Sequence, residues 1–114
     1  MSDANCIFCR IVAGEIPATV VARNEHALAF RDLHPQAPSH LLVIPVRHVD
    51  SLASADNTAE LGAVLSLAAE VARAEGLAEA GYRVVTNIGG DGGQTVQHLH
   101  FHVLGGRQMH WPPG

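Results

Sequence analysis

The sequence predicts an α+β fold: an antiparallel sheet of about five strands carrying one long helix. Short apolar segments of strand composition follow one another with only turns between them, which favours antiparallel neighbours. A single segment, residues 57–76, repeats its apolar residues at helical spacing over several turns. Hydrophobic residues make up 47% of the 114 against 16% charged, a balance that supports a folded core in one domain, residues 1–114. Only three Phe, one Tyr and one Trp are present, so that core must be built mainly from Leu, Val, Ile and Ala.

Taken in order, residues 6–13 place Ile7, Phe8, Ile11 and Val12 on one helical face, and Gly14 and Pro17 end that short helix. Residues 20–23 and 27–31 read as two strands joined at Asn24–Glu25. Pro35 and Pro38 enforce a loop before the apolar strand 40–45, itself closed by a proline. In the long helix, Asn57 and Glu60 form a capping-box pattern. Its predicted apolar stripe is Leu61, Val64, Leu65, Ala68, Val71 and Ala72, and Gly76 is a suitable stop. Strands at 82–87 and 96–104 flank the glycine-rich loop 88–93, and Pro112 and Pro113 keep the tail out of regular structure.

The formal charge is −4 and no block of Lys or Arg offers a footprint for a polynucleotide backbone, so an anionic substrate must be held by local donors. No apolar run reaches the ~18 residues of a membrane span, and the start MSDANCIFCR does not read as a signal peptide, so a cytoplasmic location is expected. There Cys6 and Cys9 stay reduced and read as metal ligands or a redox pair, not as a structural disulfide.

The segment QHLHFHVL carries the chemistry. On a strand, His98, His100 and His102 share one face and Leu99, Phe101 and Val103 the other. Three imidazoles in register can be a polar sheet face, a metal site, or a nucleophile with acid–base partners. Gly89, Gly90, Gly92 and Gly93 just before them allow backbone amides to converge on an anion, with Gln94 and Thr95 as side-chain donors, which favours phosphate binding.

HLHFHVLGG fits the His-x-His-x-His-x-x motif of the histidine triad family. IFCRIVAGEIPA, AFRDLHPQAPSHLLVIP and NIGGDGGQTVQHLHFHVLGGRQMHWPPG resemble its Hint branch over nearly the whole chain. The resemblance implies a HIT-like, homodimeric hydrolase of purine nucleoside 5′-phosphoramidates or aminoacyl-adenylates. In such a reaction His100 would attack the α-phosphorus and form a nucleotidyl-histidine, His102 would contact the phosphate and handle a proton, and His40 would relay a proton to the leaving group. Read without it, His40 opens an apolar strand and could be an ordinary sheet histidine.

By the same resemblance Asp32 would accept the ribose hydroxyls, while Ile7, Phe8, Ile11, Phe30 and Leu33 would form the base pocket. Asn87, Gly93, Thr95 and Val96 would touch phosphate and leaving group, and Trp111 would reach towards the partner's site. Cys6, Cys9, His48 and His98 would make a closed, structural Cys₂His₂ zinc site, with no metal needed for catalysis. That leaves His100 and His102 of the triad for chemistry. Two rivals stand beside this reading: dinucleoside polyphosphate hydrolysis by the neighbouring branch, and a nucleotide- or partner-binding module with little turnover. Metal-dependent hydrolysis by the histidine strand is a third, and it predicts loss of activity on chelation. Arg31 and Gln97 receive no role from the resemblance, and Gln97, just before the triad, could tune specificity.

Overall fold

Residues 3–114 are described by a computed structural model, so the first two residues of the N-terminal segment read above lie outside it. The chain runs α1 (Ile7–Val12), β1 (Val20–Arg23), β2 (Ala27–Arg31), β3 (Ser39–Pro45), a 3₁₀ turn at Leu52–Ser54, α2 (Thr58–Ala74), β4 (Arg83–Val85) and β5 (Phe101–Gly105). The five strands form one sheet in the order β1-β2-β3-β5-β4, antiparallel throughout. No helix among the described residues is long and apolar enough to cross a membrane.

Alternation along the strands divides the interior into two cores. Ala27, Ala29, Leu41, Val43, Phe101 and Val103 pack on one face against Val64, Leu67, Ala68, Val71 and Ala72 of α2. Leu28, Phe30, Leu42 and Ile44 pack on the other against Phe8, Cys6 and Cys9 of the α1 segment. Paired alanines on β2 let α2 sit close to the sheet. The predicted stripe needs one correction: Leu65 is exposed, and Leu67 is fully buried in its place. Both positions suit a helical stripe, and the tilt of α2 across the sheet decides between them.

Asn57 caps α2 as predicted, its Oδ1 accepting from the Glu60 N–H at 2.9 Å. The capping box does not close, because the Glu60 carboxylate instead takes two hydrogen bonds from Arg47, at 2.8 and 3.1 Å. Gly76 ends the helix with φ 76°, a left-handed conformation that favours glycine.

The last two strands are shorter than predicted, and for β5 the reason lies in β3. The β3–β5 ladder runs from Ser39 opposite Gly105 to Val43 opposite Phe101. One step further would require an N–H from Pro45, which has none, so the ladder stops. Residues 98–100 therefore lie outside regular structure. They are held instead by Leu99 N–H donating to the Val49 carbonyl at 2.6 Å and by the Thr86 hydroxyl donating to the His100 carbonyl at 2.8 Å.

Candidate active site and metal cluster

The three histidines share one face, as expected, although His98 and His100 precede β5; that face is the α1 side, while Leu99, Phe101 and Val103 join the α2 core. Their environments differ, and hydrogen bonds assign each ring its tautomer. His100 Nδ1 lies 2.7 Å from the His98 carbonyl. A carbonyl only accepts, so the proton sits on Nδ1 and the Nε2 lone pair is left free. Phe8 packs edge-on against this ring at 5.2 Å between centroids, and fixes its plane.

His40 is fixed from the other side. The Gln36 N–H donates to its Nδ1 at 2.9 Å, so its proton is on Nε2. That Nε2–H faces His102 Nδ1 at 2.9 Å and Asp32 Oδ2 at 3.4 Å. Neutral His102 must then carry its own proton on Nε2. The pair forms a short directed chain next to His100, whose ring centroid is 5.1 Å from that of His102. Burial, together with His100 and His40, pushes His102 down to about 4, opposed by the Asp32 carboxylate. Burial likewise lowers His40, again against the pull of Asp32.

This depression links site and stability. In the unfolded chain His102 titrates near 6.5, so between that pH and about 4 the unfolded state binds more protons than the native one. Stability should therefore fall as pH drops through this window, by on the order of 3 kcal/mol from His102, and level off below it. Urea midpoints measured from pH 7 to 4 test this, because His102→Gln should remove that share of the acid-side slope.

A cavity of about 290 Å³ opens beside these rings, lined by Ile7, Phe8, Ile11, Phe30, Asp32, Leu33, Thr95, Val96, His100 and His102 among others. Eight of the predicted substrate contacts thus meet at one place. The other three lie elsewhere. Asn87 lines a second groove of about 460 Å³ with His40, His102 and the C-terminal tail. Its side-chain amide donates to the Gly92 carbonyl at 2.7 Å, beside Gly93. Trp111 is 82% exposed and outside both cavities.

The glycine-rich loop differs from the predicted anion cradle. Its Gly89, Gly93 and Gln94 N–H groups are spent within the loop, on Gln94 Oε1, the Gly90 carbonyl and the Gly89 carbonyl. The Gln94 side-chain amide donates to the Asp50 and Val96 carbonyls. A Cβ on Gly92 would collide with the Ile88 carbonyl, so glycine is required for this closed turn. Thr95 alone of the predicted loop donors faces the cavity.

On the far side of Phe8, Cys6, Cys9, His48 and His98 bring their ligand atoms within 4.8 Å of one another. Sequence puts the cysteines together: Cys6 caps α1, its Sγ accepting from the Cys9 N–H, so one helical turn aims both sulfurs the same way. His98, fully buried, donates Nε2–H to the Pro45 carbonyl at 2.9 Å and points Nδ1 at Cys6 Sγ, 3.2 Å, and Cys9 Sγ, 3.5 Å. His48 donates Nε2–H to Asp50 at 2.8 Å and points Nδ1 at Cys9 Sγ, 3.3 Å. Each imidazole is thus oriented by an acceptor behind it, as metal-binding histidines are. A tetrahedral zinc ion with two thiolates and two imidazoles would separate S and N by about 3.5 Å, and the donor set fits it. Burial raises the Cys9 thiol and lowers His98 to about 4.

The sequence reading missed the acceptors and donors that set these tautomers: Gln36 N–H, the Pro45 and His98 carbonyls, and Asp50. Only Asp50, two residues from His48, offered a local signal.

Imidazoles alternating into an interior strand of a five-stranded sheet, beside an apolar cavity, define a histidine triad protein. The chain belongs to the HIT domain family, whose model matches residues 13–109, and within it to the Hint branch. It is 50% identical over 119 residues to the 14 kDa zinc-binding protein of Zea mays, covering 100% of this chain and 91% of that one. It is equally 50% identical to the adenylylsulfatase HINT1 of Arabidopsis thaliana, covering 99% of this chain and 79% of that protein. Among solved structures, the HIT family hydrolase of Legionella pneumophila superposes with a TM-score of 0.93 at 53% identity, covering 96% of this chain and 100% of the other.

Proposed function

We propose that this protein is a nucleotide hydrolase that cleaves purine nucleoside 5′-phosphoramidates or aminoacyl-adenylates through a covalent nucleotidyl-histidine. The observation that carries the reading is the His100 tautomer: Nδ1–H on the His98 carbonyl at 2.7 Å leaves an unprotonated Nε2 for attack. Family membership and the hydrolase and adenylylsulfatase names of its relatives support the reaction class.

In this reading the base lies in the apolar cavity between Ile7, Phe8, Ile11, Phe30, Leu33 and Val96, and Asp32 accepts the ribose hydroxyls. Thr95, Asn87 and Gly93 contribute at the phosphate and leaving group. The anionic phosphate favours a proton on the His40–His102 pair. His100 Nε2 bonds to phosphorus as the phosphorus–nitrogen bond breaks, and the pair gives its proton to the departing amine. Water then attacks phosphorus and returns a proton to the pair, and the bond to His100 breaks to release nucleoside monophosphate. No metal takes part in these steps.

Cys6, Cys9, His48 and His98 would hold a structural zinc ion, with no open position, in a cytoplasm that keeps both thiols reduced. The 14 kDa zinc-binding protein supports this assignment by its name. Residues 1–114 act as one domain, and two copies pair. The exposed side chains of Leu33, 81%, at the cavity, and Trp111, 82%, on the tail, support the pairing as apolar surface that a second copy would cover.

The test is product release. Adenosine 5′-phosphoramidate should yield AMP and amine faster than diadenosine polyphosphates yield AMP, with no loss of rate when a chelator is added to folded, zinc-loaded protein. Faster polyphosphate cleavage would move the protein to the neighbouring branch. Nucleotide binding without release would make it a binding module.

A further inference from the structure

Arg31 and Glu75 take no part in the chemistry above, and no motif assigns either a role. Alternation places Arg31 with Ala27 and Ala29 on the α2 face of β2, and Ser39 with Leu41 and Val43 on the same face of β3. The residues next to them, Asp32 and His40, therefore turn to the cavity side. Glu75, the residue that caps the C-terminal end of α2, accepts from Arg31 Nη1 and Nη2, both at 2.9 Å, and from the Ser39 hydroxyl at 3.1 Å. One carboxylate thus holds the last residue of β2 and the first of β3.

Between these two residues the chain leaves the sheet in a loop interrupted by Pro35 and Pro38. Across its mouth a single backbone bond, Asp32 N–H to the His40 carbonyl at 3.0 Å, continues the ladder. An ion pair this exposed adds little to stability. A fork of two parallel bonds nevertheless fixes orientation, which a point contact does not. The hydrogen bonds from Arg31 hold the Glu75 carboxyl below its ordinary range, so it stays ionised at neutral pH. A matching fork joins Arg47 to Glu60 at the other end of α2.

We propose that Glu75 is a positioning residue for proton transfer, setting, by holding Arg31 and Ser39 together, the placement of His40 opposite His102. The inference rests on His40 and His102 being the proton-transfer pair. Small misplacements of such groups cost rate without costing binding.

Glu75→Ala should lower kcat about tenfold for a phosphoramidate, whose amine must receive a proton. It should spare an acyl-adenylate, whose carboxylate leaves without one. Affinity for AMP should stay within about twofold. Side-chain ¹⁵N spectra of His40 and His102 should shift, and the exchanged pair Arg31→Glu with Glu75→Arg should restore most of both signals and rate. Glu60→Gln, which loosens the other end of α2, should lower Tm comparably without splitting the two substrates. Equal losses on both substrates, or unchanged His40 and His102 spectra, would overturn the proposal. If the native protein cleaves neither substrate the hydrolase reading fails, and the spectra alone still decide whether Glu75 positions the pair.

Discussion

Replacing His100 with alanine is expected to reduce turnover of an adenosine phosphoramidate by about 10⁴-fold or more, while AMP still binds. The size follows from the path, not from lost packing. Without the imidazole no covalent intermediate forms, and water must displace the amine directly, from a site shaped around His100 Nε2. The ring is 5% exposed and touches Phe8 on its edge, so removing it also leaves a small void. Single-turnover kinetics and a denaturation midpoint separate the two consequences. A modest fall in Tm with a collapse in rate is the expected pattern. His100→Ala protein that retained native turnover would remove the nucleophile assignment, and with it the covalent route.

The second large effect concerns the cysteine cluster. Purified protein is expected to carry one zinc ion per chain, and Cys9→Ser is expected to lose it and to melt at least ~10 °C lower. Removing one ligand leaves Cys6 and His98 buried without the ion that their orientation serves, and the metal's binding free energy no longer favours the folded state. The loss extends to the active site through one residue: His98 presents Nδ1 to the sulfurs while its own carbonyl fixes the His100 tautomer. Metal analysis with calorimetry checks both parts. Protein without zinc and with unchanged Tm after Cys9→Ser would show that the cysteines have no such task.

How far the sequence could be read depended on the range of the interactions. Alternation within HLHFHVL placed three imidazoles and three apolar residues on opposite faces without reference to any partner, and Asn57 and Gly76 marked α2 by local chemistry. Leu65 and Leu67 could not be ranked, since both satisfy a helical stripe until the sheet is in place. The start of β5 was not legible from residues 96–104, because what stops its ladder is Pro45 on another strand. Gln94 and Thr95 looked alike as donors, yet only the three-dimensional course of the loop turns one inward to Asp50 and the other to the cavity. Motif resemblance supplied the grouping of Cys6 and Cys9 with His48 and His98, a grouping that spacing alone left open. Arg31 had no local signal at all, its partner lying 44 positions away.

Pro45 has a further consequence for how the two sites are tied together. Its missing N–H ends the ladder, while its carbonyl takes the His98 Nε2–H at 2.9 Å, so one residue both releases the chain from the sheet and re-anchors it. From that anchor His98 presents its ring to the cysteines and its own carbonyl to His100. The linchpin between the two sites is thus a residue that contributes no side-chain chemistry of its own.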